Sequence, residues 1–150
     1  MDVRGETKQV GGGILVPTRT SPGELLDRLS ILTVKQEKLS GTEAGKIAHE
    51  LHCDLHQFAS DFLSQPGVST HFERLIELNT ELWEIEDKLR AMDSEVFPLM
   101  MKKWDVTQRY CTLASSVYQV NDARCLVKKK IDTMLGGTSE PKYYTAHGED

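Results

Sequence analysis

The sequence predicts an all-α fold: a bundle of about four long antiparallel helices, with a short extended segment before them and an irregular tail after them. Apolar residues recur at three- and four-residue spacing along four long stretches, which is the pattern of amphipathic helices. Short runs rich in glycine, serine and proline separate these stretches, and the alternating pattern of strands is nearly absent. Short connections between long helices favour antiparallel neighbours.

The composition is that of a single globular domain. The chain has 150 residues, of which 39% are hydrophobic and 27% are charged, so it can bury a core of its own. We divide it into a flexible arm (1–13), a helical domain (14–144) and a tail (145–150). The net charge of -5 disfavours a nucleic-acid partner, and no apolar run approaches the roughly 20 residues that span a bilayer. Because MDVRGETKQ also lacks the apolar region of a signal peptide, we expect a cytoplasmic protein without a membrane partner.

The first helix has the clearest start signals. The segment ILVPT before it is extended, because proline disfavours helical backbone at the preceding residue. In SPGE (21–24), Ser21 and Glu24 form a capping box, and the proline occupies the first helical position. We expect this helix to run to about Leu39. Its apolar residues occupy more than one face, which predicts a helix at the centre of the fold or at a subunit contact.

The second helix begins at Thr42 or Glu43 and ends near the sequence QPG (65–67). Its apolar residues repeat at four-, four-, three- and four-residue intervals. This repeat predicts a core-facing stripe made of Ile47, Leu51, Leu55, Phe58 and Phe62.

The third helix is capped by Ser69 or Thr70 and carries a leucine-rich stripe over several turns. Pro98 is expected to break or kink the chain, and the sequence does not assign 93–104 to an element. The fourth helix covers about 105–135 and ends at a Gly-Gly pair.

Three polar side chains interrupt the apolar face of the fourth helix. On a helical wheel, Asn121, Arg124 and Lys128 fall within the sector of the core residues, whereas Asp122 lies outside it. A buried polar group costs several kcal/mol unless it is paired, and an unpaired charge costs more. We therefore expect partners for these three side chains on other helices.

Helices one and three supply polar residues beside their leucine stripes. With the fourth helix they form a predicted polar layer made of Arg28, Lys35, Asn79, Trp83, Glu86, Asn121, Arg124 and Lys128. In one interpretation this layer is structural: Glu86 pairs with Arg124 or Lys128. Asn79 then pairs with Asn121. In a second it binds an anionic small molecule, because cations outnumber inward carboxylates and arginine binds phosphate or carboxylate through two hydrogen bonds. In a third the phase of the helices drifts from the ideal wheel, and the charged side chains are simply exposed.

Two further clusters receive weaker interpretations. His49, His52, Cys53 and His56 lie on the predicted solvent face of the second helix, without an acidic third ligand, so no metal site is predicted. Three acidic residues of the third helix, Glu81, Glu84 and Asp87, resemble the ExxE motif of all-α NTP pyrophosphohydrolases of the MazG type. That chemistry needs carboxylates that converge on Mg²⁺ inside the bundle, but the wheel turns Glu84 outward and no second acidic pair is evident.

Other catalytic and cofactor motifs are absent from the sequence. We find no nucleophile elbow, Walker loop, dinucleotide fingerprint or HExxH. The three cysteines, Cys53, Cys111 and Cys125, have neither metal-ligand spacing nor a disulfide pattern, which is typical of thiols in a reducing compartment. We expect no cofactor.

Three sequence blocks and a late Lys-Tyr pair resemble a known family. The blocks are SPGELLDRLSILTVK (21–35), LIELNTELWEIEDKLR (75–90) and LASSVYQVNDARCLVKKKID (113–132), and the pair is Lys142-Tyr143. They are similar to the SPGEL-x-D-K/R, LN-x-x-LW-x-IED and ND-x-R-x-x-K pattern of small bacterial and viral proteins known only as a domain of unknown function.

The resemblance covers most of 14–144 and implies a shared fold, but no activity. Pro141, inside the late motif, departs from the pattern. The family positions correspond here to Ser21, Glu24, Asp27, Arg28, Lys35, Asn79, Trp83, Glu86, Asp87, Asn121, Asp122, Arg124 and Lys128.

Together these observations predict a helical binding or accessory module that self-associates, as a homodimer, and whose polar layer receives an anionic small molecule. The alternative is an enzyme that acts on a phosphorylated or nucleotide-sugar-like substrate. In that case Arg124 and Lys128 clamp the anion and Glu86 is the acid/base catalyst.

Overall fold

The computed structural model describes residues 9–10, 13–14, 18–100 and 103–139, with side chains for 18–93 and 103–139. Four long helices make up nearly all of this part of the chain, so the prediction of an all-α bundle is confirmed. The helices are α1 (Pro22–Lys38), α2 (Glu43–Leu63), α3 (Val68–Met100) and α4 (Trp104–Leu135). Before them, β1 (Gln9–Val10) and β2 (Gly13–Ile14) form a short antiparallel ladder. The ladder falls within the predicted flexible arm and at the start of the predicted extended segment. Residues 15–17 of that segment and residues 140–150 of the chain lie outside the described part.

The ends of three helices agree closely with the sequence signals. The Ser21 side chain accepts a hydrogen bond from the backbone N–H of Glu24, and the Thr42 side chain caps α2 in the same way. At the other end, α4 stops at Gly136, which has a left-handed φ of 68° that a residue with a side chain rarely adopts.

The third helix differs from the prediction at both ends. It begins at Val68, directly after Gly67, before either predicted cap. It also continues through Pro98 to Met100, so of the predicted break or kink at Pro98 the break is wrong and the kink stays a prediction. The proline lies two residues before the end of the helix, so little of the helix follows the hydrogen bond that its missing N–H removes.

Contacts between side chains define how the helices run. Asp27 meets Asn79, and farther along α1 Lys38 meets Glu84, so α1 and α3 are parallel. Since α2 returns from α1 through a short turn, successive helices alternate in direction.

The same alternation holds between α3 and α4. Asn79 meets Arg124, whereas Asp93, later in α3, meets Tyr110, earlier in α4. The Tyr110 hydroxyl donates a hydrogen bond to the Asp93 carboxylate. This bond, followed by the negative charge of Asp93, raises the pKa of Tyr110 above its ordinary value.

The core lies where α1, α3 and α4 meet. Its most deeply buried large side chains are Leu26, Leu29, Leu75, Leu78 and Ile131. Helix α1 packs against all three other helices, which confirms that it is central. No helix in the described part of the chain is apolar over enough of its length to cross a membrane.

The predicted core stripe of α2 is wrong for three of its five residues. Ile47, Leu51 and Phe58 are exposed, and we call them the α2 stripe. The buried positions of α2 are instead small residues, namely Gly45, Ala48 and Ala59. Small side chains let the backbones of two helices approach closely, and this approach turns α2 so that its larger apolar residues lie to one side.

Candidate ligand-binding cleft

The N-terminus of α1 is fixed against the C-terminal end of α4. Asp132, which is buried, accepts a hydrogen bond from the backbone N–H of Gly23 at 2.6 Å. Its second oxygen accepts from the Ser139 hydroxyl at 2.8 Å. A carboxylate at this position also interacts favourably with the positive end of the α1 dipole. The contact needs a glycine, because a Cβ at Gly23 would lie 2.5 Å from the backbone oxygen of Lys128.

One turn farther along α1, Asp27 is the centre of a group of buried and partly buried polar side chains. We call this group the Asp27 network, and it consists of Glu24, Asp27, Ser30, Asn79, Arg124 and Lys128. The Asn79 amide nitrogen donates to Asp27 Oδ1 at 3.2 Å and to Ser30 Oγ at 2.8 Å. Ser30 in turn donates to the Asp27 backbone oxygen at 2.7 Å. These bonds fix the Asn79 amide so that its oxygen faces α4.

Helix α4 contributes the two cations of the Asp27 network. Arg124 Nη1 donates to Asn79 Oδ1 at 2.9 Å, and Arg124 Nε lies 3.6 Å from Asp27 Oδ1. Lys128 Nζ pairs with the Glu24 carboxylate and lies 3.8 Å from Asp27 Oδ2. Two carboxylates therefore face two cations, and the network is balanced in charge.

Arg124 is the member of the network whose donors are least completely paired. Among the described side chains, its Nε is the one buried nitrogen or oxygen that forms no hydrogen bond. The guanidinium has five N–H donors, and the bond to Asn79 uses one of them. The side chain as a whole remains 23% exposed.

The predicted pairing partners were wrong. Glu86 pairs with Arg90 at 2.6 Å, one turn away on α3, and not with Arg124 or Lys128. Asn79 bonds to Asp27 and Ser30 as donor and to Arg124 as acceptor, and these bonds replace the predicted pair with Asn121. The carboxylates that pair with the α4 cations come from α1. The expected surplus of inward cations over carboxylates is therefore not present in the Asp27 network.

A cleft opens beside the network between α1, α3 and α4. We call it the Trp83 cleft. It has a volume of about 270 Å³ and is lined by Ile31, Val34, Asn79, Leu82, Trp83, Glu86, Asn121 and Arg124. Aliphatic side chains and the Trp83 indole form apolar walls. Arg124, Asn121 and Glu86 add polar side chains to the lining.

Five of the eight residues of the predicted polar layer line this cleft, namely Asn79, Trp83, Glu86, Asn121 and Arg124. Lys128 belongs to the Asp27 network but does not line the cleft. Arg28 and Lys35 are exposed on α1 and line neither.

Periodicity alone missed the acidic centre of the network, although the family resemblance included Glu24 and Asp27. The sequence of α1 does contain a pattern that marks Asp27 as buried. Gly23, Asp27, Ser30 and Val34 repeat at four-, three- and four-residue spacing, and all four are buried. The leucines beside this stripe dominate the hydrophobic pattern of α1 and hide it. Asp132 was likewise not singled out by its sequence pattern.

The other polar clusters of the sequence do not converge. Glu81, Glu84 and Asp87 are all exposed, and the latter two pair with Lys38 and Arg90. On α2, the rings of His52 and His56 stack with centroids 5.9 Å apart. In the part of the chain that the structure describes, no group of three histidine, cysteine or acidic side chains is arranged to hold a metal ion.

In comparisons with known proteins, no family model, curated protein or solved structure matches this chain. The resemblance to a family of unknown function therefore stays a prediction, and the cleft must be interpreted from its own chemistry.

Proposed function

We propose that this protein is a helical binding module whose Trp83 cleft receives a small molecule with one anionic oxygen group, a carboxylate or a phosphate, and an apolar portion. The observation that carries the proposal is the placement of Arg124. Buried Asn79 and Asp27 hold its guanidinium from behind, at 2.9 and 3.6 Å, while the side chain lines the cleft. A donor that is already fixed loses little conformational entropy when it binds.

The walls of the cleft suit the apolar portion of such a ligand. Ile31, Val34 and Leu82 offer aliphatic surface, and the Trp83 indole can stack on a flat group. A volume of about 270 Å³ lies near the lower end of the range for ligand pockets, so we expect a small ligand. The Asn121 amide provides a second hydrogen-bonding group beside Arg124.

The charges around the cleft predict modest affinity. Asp27 offsets much of the charge of Arg124, and Glu86 places a carboxylate in the same lining. We therefore expect recognition of a single anionic group by directed hydrogen bonds, and not attraction by a strongly basic surface.

Binding is favoured here over catalysis by the positions of the residues proposed for an enzyme. Lys128 is engaged by Glu24 and Asp27 and does not line the cleft, so it is not placed to clamp a phosphate beside Arg124. Glu86 is engaged by Arg90 at 2.6 Å on the same helix, so its carboxylate is already held in an ion pair.

A titration with matched aromatic probes tests the ligand class. Benzoate and phenyl phosphate carry the anionic group, and benzyl alcohol is the uncharged control. At millimolar concentration we expect the anionic probes to shift the Trp83 indole N–H signal in NMR spectra, with benzyl alcohol causing little change. In Arg124→Lys the shift is expected to weaken at least about tenfold in affinity, because a two-pronged contact is lost.

The control variant is Lys130→Gln, which removes a positive charge from an exposed position of α4, whereas Arg124→Lys keeps its charge and changes only the shape of the contact. Equal binding by wild type, Arg124→Lys and Lys130→Gln would overturn the role of Arg124. Absence of any shift with the anionic probes would overturn the ligand class.

Self-association in the cytoplasm completes the proposal. The exposed α2 stripe is apolar surface that a second copy can cover. The three free cysteines suit a reducing compartment, where thiols persist.

A further inference from the structure

Two exposed surfaces on different helices each combine apolar residues with charged residues, and the charges on the two surfaces have opposite signs. The first is the α2 stripe. Its members, Ile47, Leu51 and Phe58, are spaced four and seven residues apart and therefore share one face of the helix. Phe58 is 71% exposed, which is unusual for a side chain of this size.

Acidic residues border the α2 stripe. Asp54 lies three residues after Leu51 and four before Phe58, so it is next to both on the helix surface. Glu50 and Asp61 are exposed along the same side. Glu43 is also exposed, but it is paired with Lys46 at 3.4 Å. The border is therefore acidic.

The second surface lies on the outer side of α4. Leu126 and Met134 are 55% and 45% exposed, and Lys129 and Lys130 lie between them in the chain. We call these four residues the α4 patch. Together with His71 of α3 they line a groove of about 380 Å³. The α4 patch is apolar and basic, on a chain whose net charge is -5.

Charge decides which surfaces can meet. Two copies of the α2 stripe would bring their acidic borders together, and two copies of the α4 patch would bring lysines together, so both symmetric pairings are opposed by repulsion. The α2 stripe and the α4 patch are complementary in charge, and each offers apolar surface to the other. Within one copy they do not meet, because α2 packs on α1 and to a smaller extent on α3.

We propose that the α2 stripe of one copy docks on the α4 patch of a second copy. The contact joins two different surfaces, so a pair of copies keeps one α2 stripe and one α4 patch free unless the arrangement closes into a ring. This inference deepens the proposed self-association and is independent of the Trp83 cleft. The surfaces are small, so we expect weak association that depends on protein concentration and falls with added salt.

Sedimentation velocity over a range of protein concentrations tests the docking. Reversing the charge of the patch with Lys129→Glu and Lys130→Glu is expected to weaken association at least about tenfold. Reversing the border with Glu50→Lys and Asp54→Lys is expected to do the same. Mixing the two reversed proteins restores association, since each then offers a surface complementary to the other.

A matched pair of aromatic substitutions distinguishes this docking from nonspecific association through exposed aromatic side chains. Phe58→Ser removes the largest side chain of the α2 stripe and should abolish association. Trp104→Ser removes an aromatic residue that is also highly exposed, at 80%, but lies outside both surfaces, and it should change nothing.

The outcomes are distinguishable. Association that persists in both charge-reversed proteins, or that mixing does not restore, overturns the docking mode while self-association stands. A single copy at every concentration overturns both, and neither result bears on the probe titration of the cleft.

Discussion

The two sides of α1 reverse the usual relation between polarity and burial. Toward α3 and α4, α1 buries Asp27 and Ser30 with almost no exposure. Toward α2, it packs against a helix that buries alanines and leaves Phe58 exposed. The difference teaches that burial in this fold is decided by partners and by how closely two backbones approach, and only secondarily by hydropathy. A carboxylate with three polar partners is stable inside, and a phenylalanine without an approaching neighbour stays outside.

The strongest way to break this comparison is to remove the buried carboxylate. Asp27→Ala leaves Arg124 and part of the charge of Lys128 uncompensated in a partly buried setting. We expect it to lower the free energy of unfolding, measured by urea denaturation, by about 3 kcal/mol.

The control for Asp27 is Glu84→Ala, which removes a carboxylate that also bridges α1 and α3, in its pair with Lys38, but is about half exposed. It should cost less than about 1 kcal/mol, as exposed pairs do. Similar losses for the two variants would mean that the Asp27 network contributes no more than a surface ion pair.

A smaller effect is expected on the other side of α1. Phe58→Ala should change the free energy of unfolding by no more than about 0.5 kcal/mol, because the ring is exposed in a single copy. Leu75→Ala, which truncates a fully buried side chain, should cost about 2–5 kcal/mol. Both are measured at dilutions where sedimentation shows one copy. A large loss for Phe58→Ala under those conditions would show that the α2 stripe is buried after all.

The smallest effect concerns the pH dependence of α2. Partial burial, followed by repulsion from His56 and His49, lowers the pKa of His52 below its ordinary 6.5. As the pH falls below about 6.5, the unfolded chain therefore binds this proton before the folded chain does, and stability is lost. His52→Gln should flatten the fall in melting temperature that accompanies acidification below this value.

His56→Gln is the matched variant for His52. It removes a neighbouring charge but leaves the burial of His52, so it should recover only part of the loss. Recovery as complete as that of His52→Gln would assign the shift to the neighbour and not to burial.

The sequence predicted well where the helices lie along the chain. It predicted which residues face the core correctly on α4 but not on α2. On α4, Arg124 and Lys128 interrupt a clear apolar repeat, and the expectation that these two side chains have partners on other helices is confirmed. On α2, hydropathy alone selected Ile47, Leu51 and Phe58, and it could not show that Ala48 and Ala59 form the closer contact. Close approach depends on the shape of α1, which periodicity within α2 does not contain.

The cleft was predictable only in part for a similar reason. Asn79, Trp83, Glu86, Asn121 and Arg124 share helical faces that a wheel can identify. The carboxylates that hold Arg124 and Lys128 come from another helix, more than ninety residues earlier in the chain. Which helix supplies a partner depends on the packing order of the bundle, and a single sequence does not state it.

The hydrogen bond between Gly23 and Asp132 joins residues 109 positions apart. During synthesis the first helix therefore emerges long before the carboxylate that caps its N-terminus. Until the end of α4 has left the ribosome, α1 lacks both this hydrogen bond and its charged partners. Until then, the central helix of the nascent chain has none of its contacts with the end of α4. Completion of the fold is thus tied to synthesis of α4, and a chain released before residue 132 would lack the contact between Gly23 and Asp132.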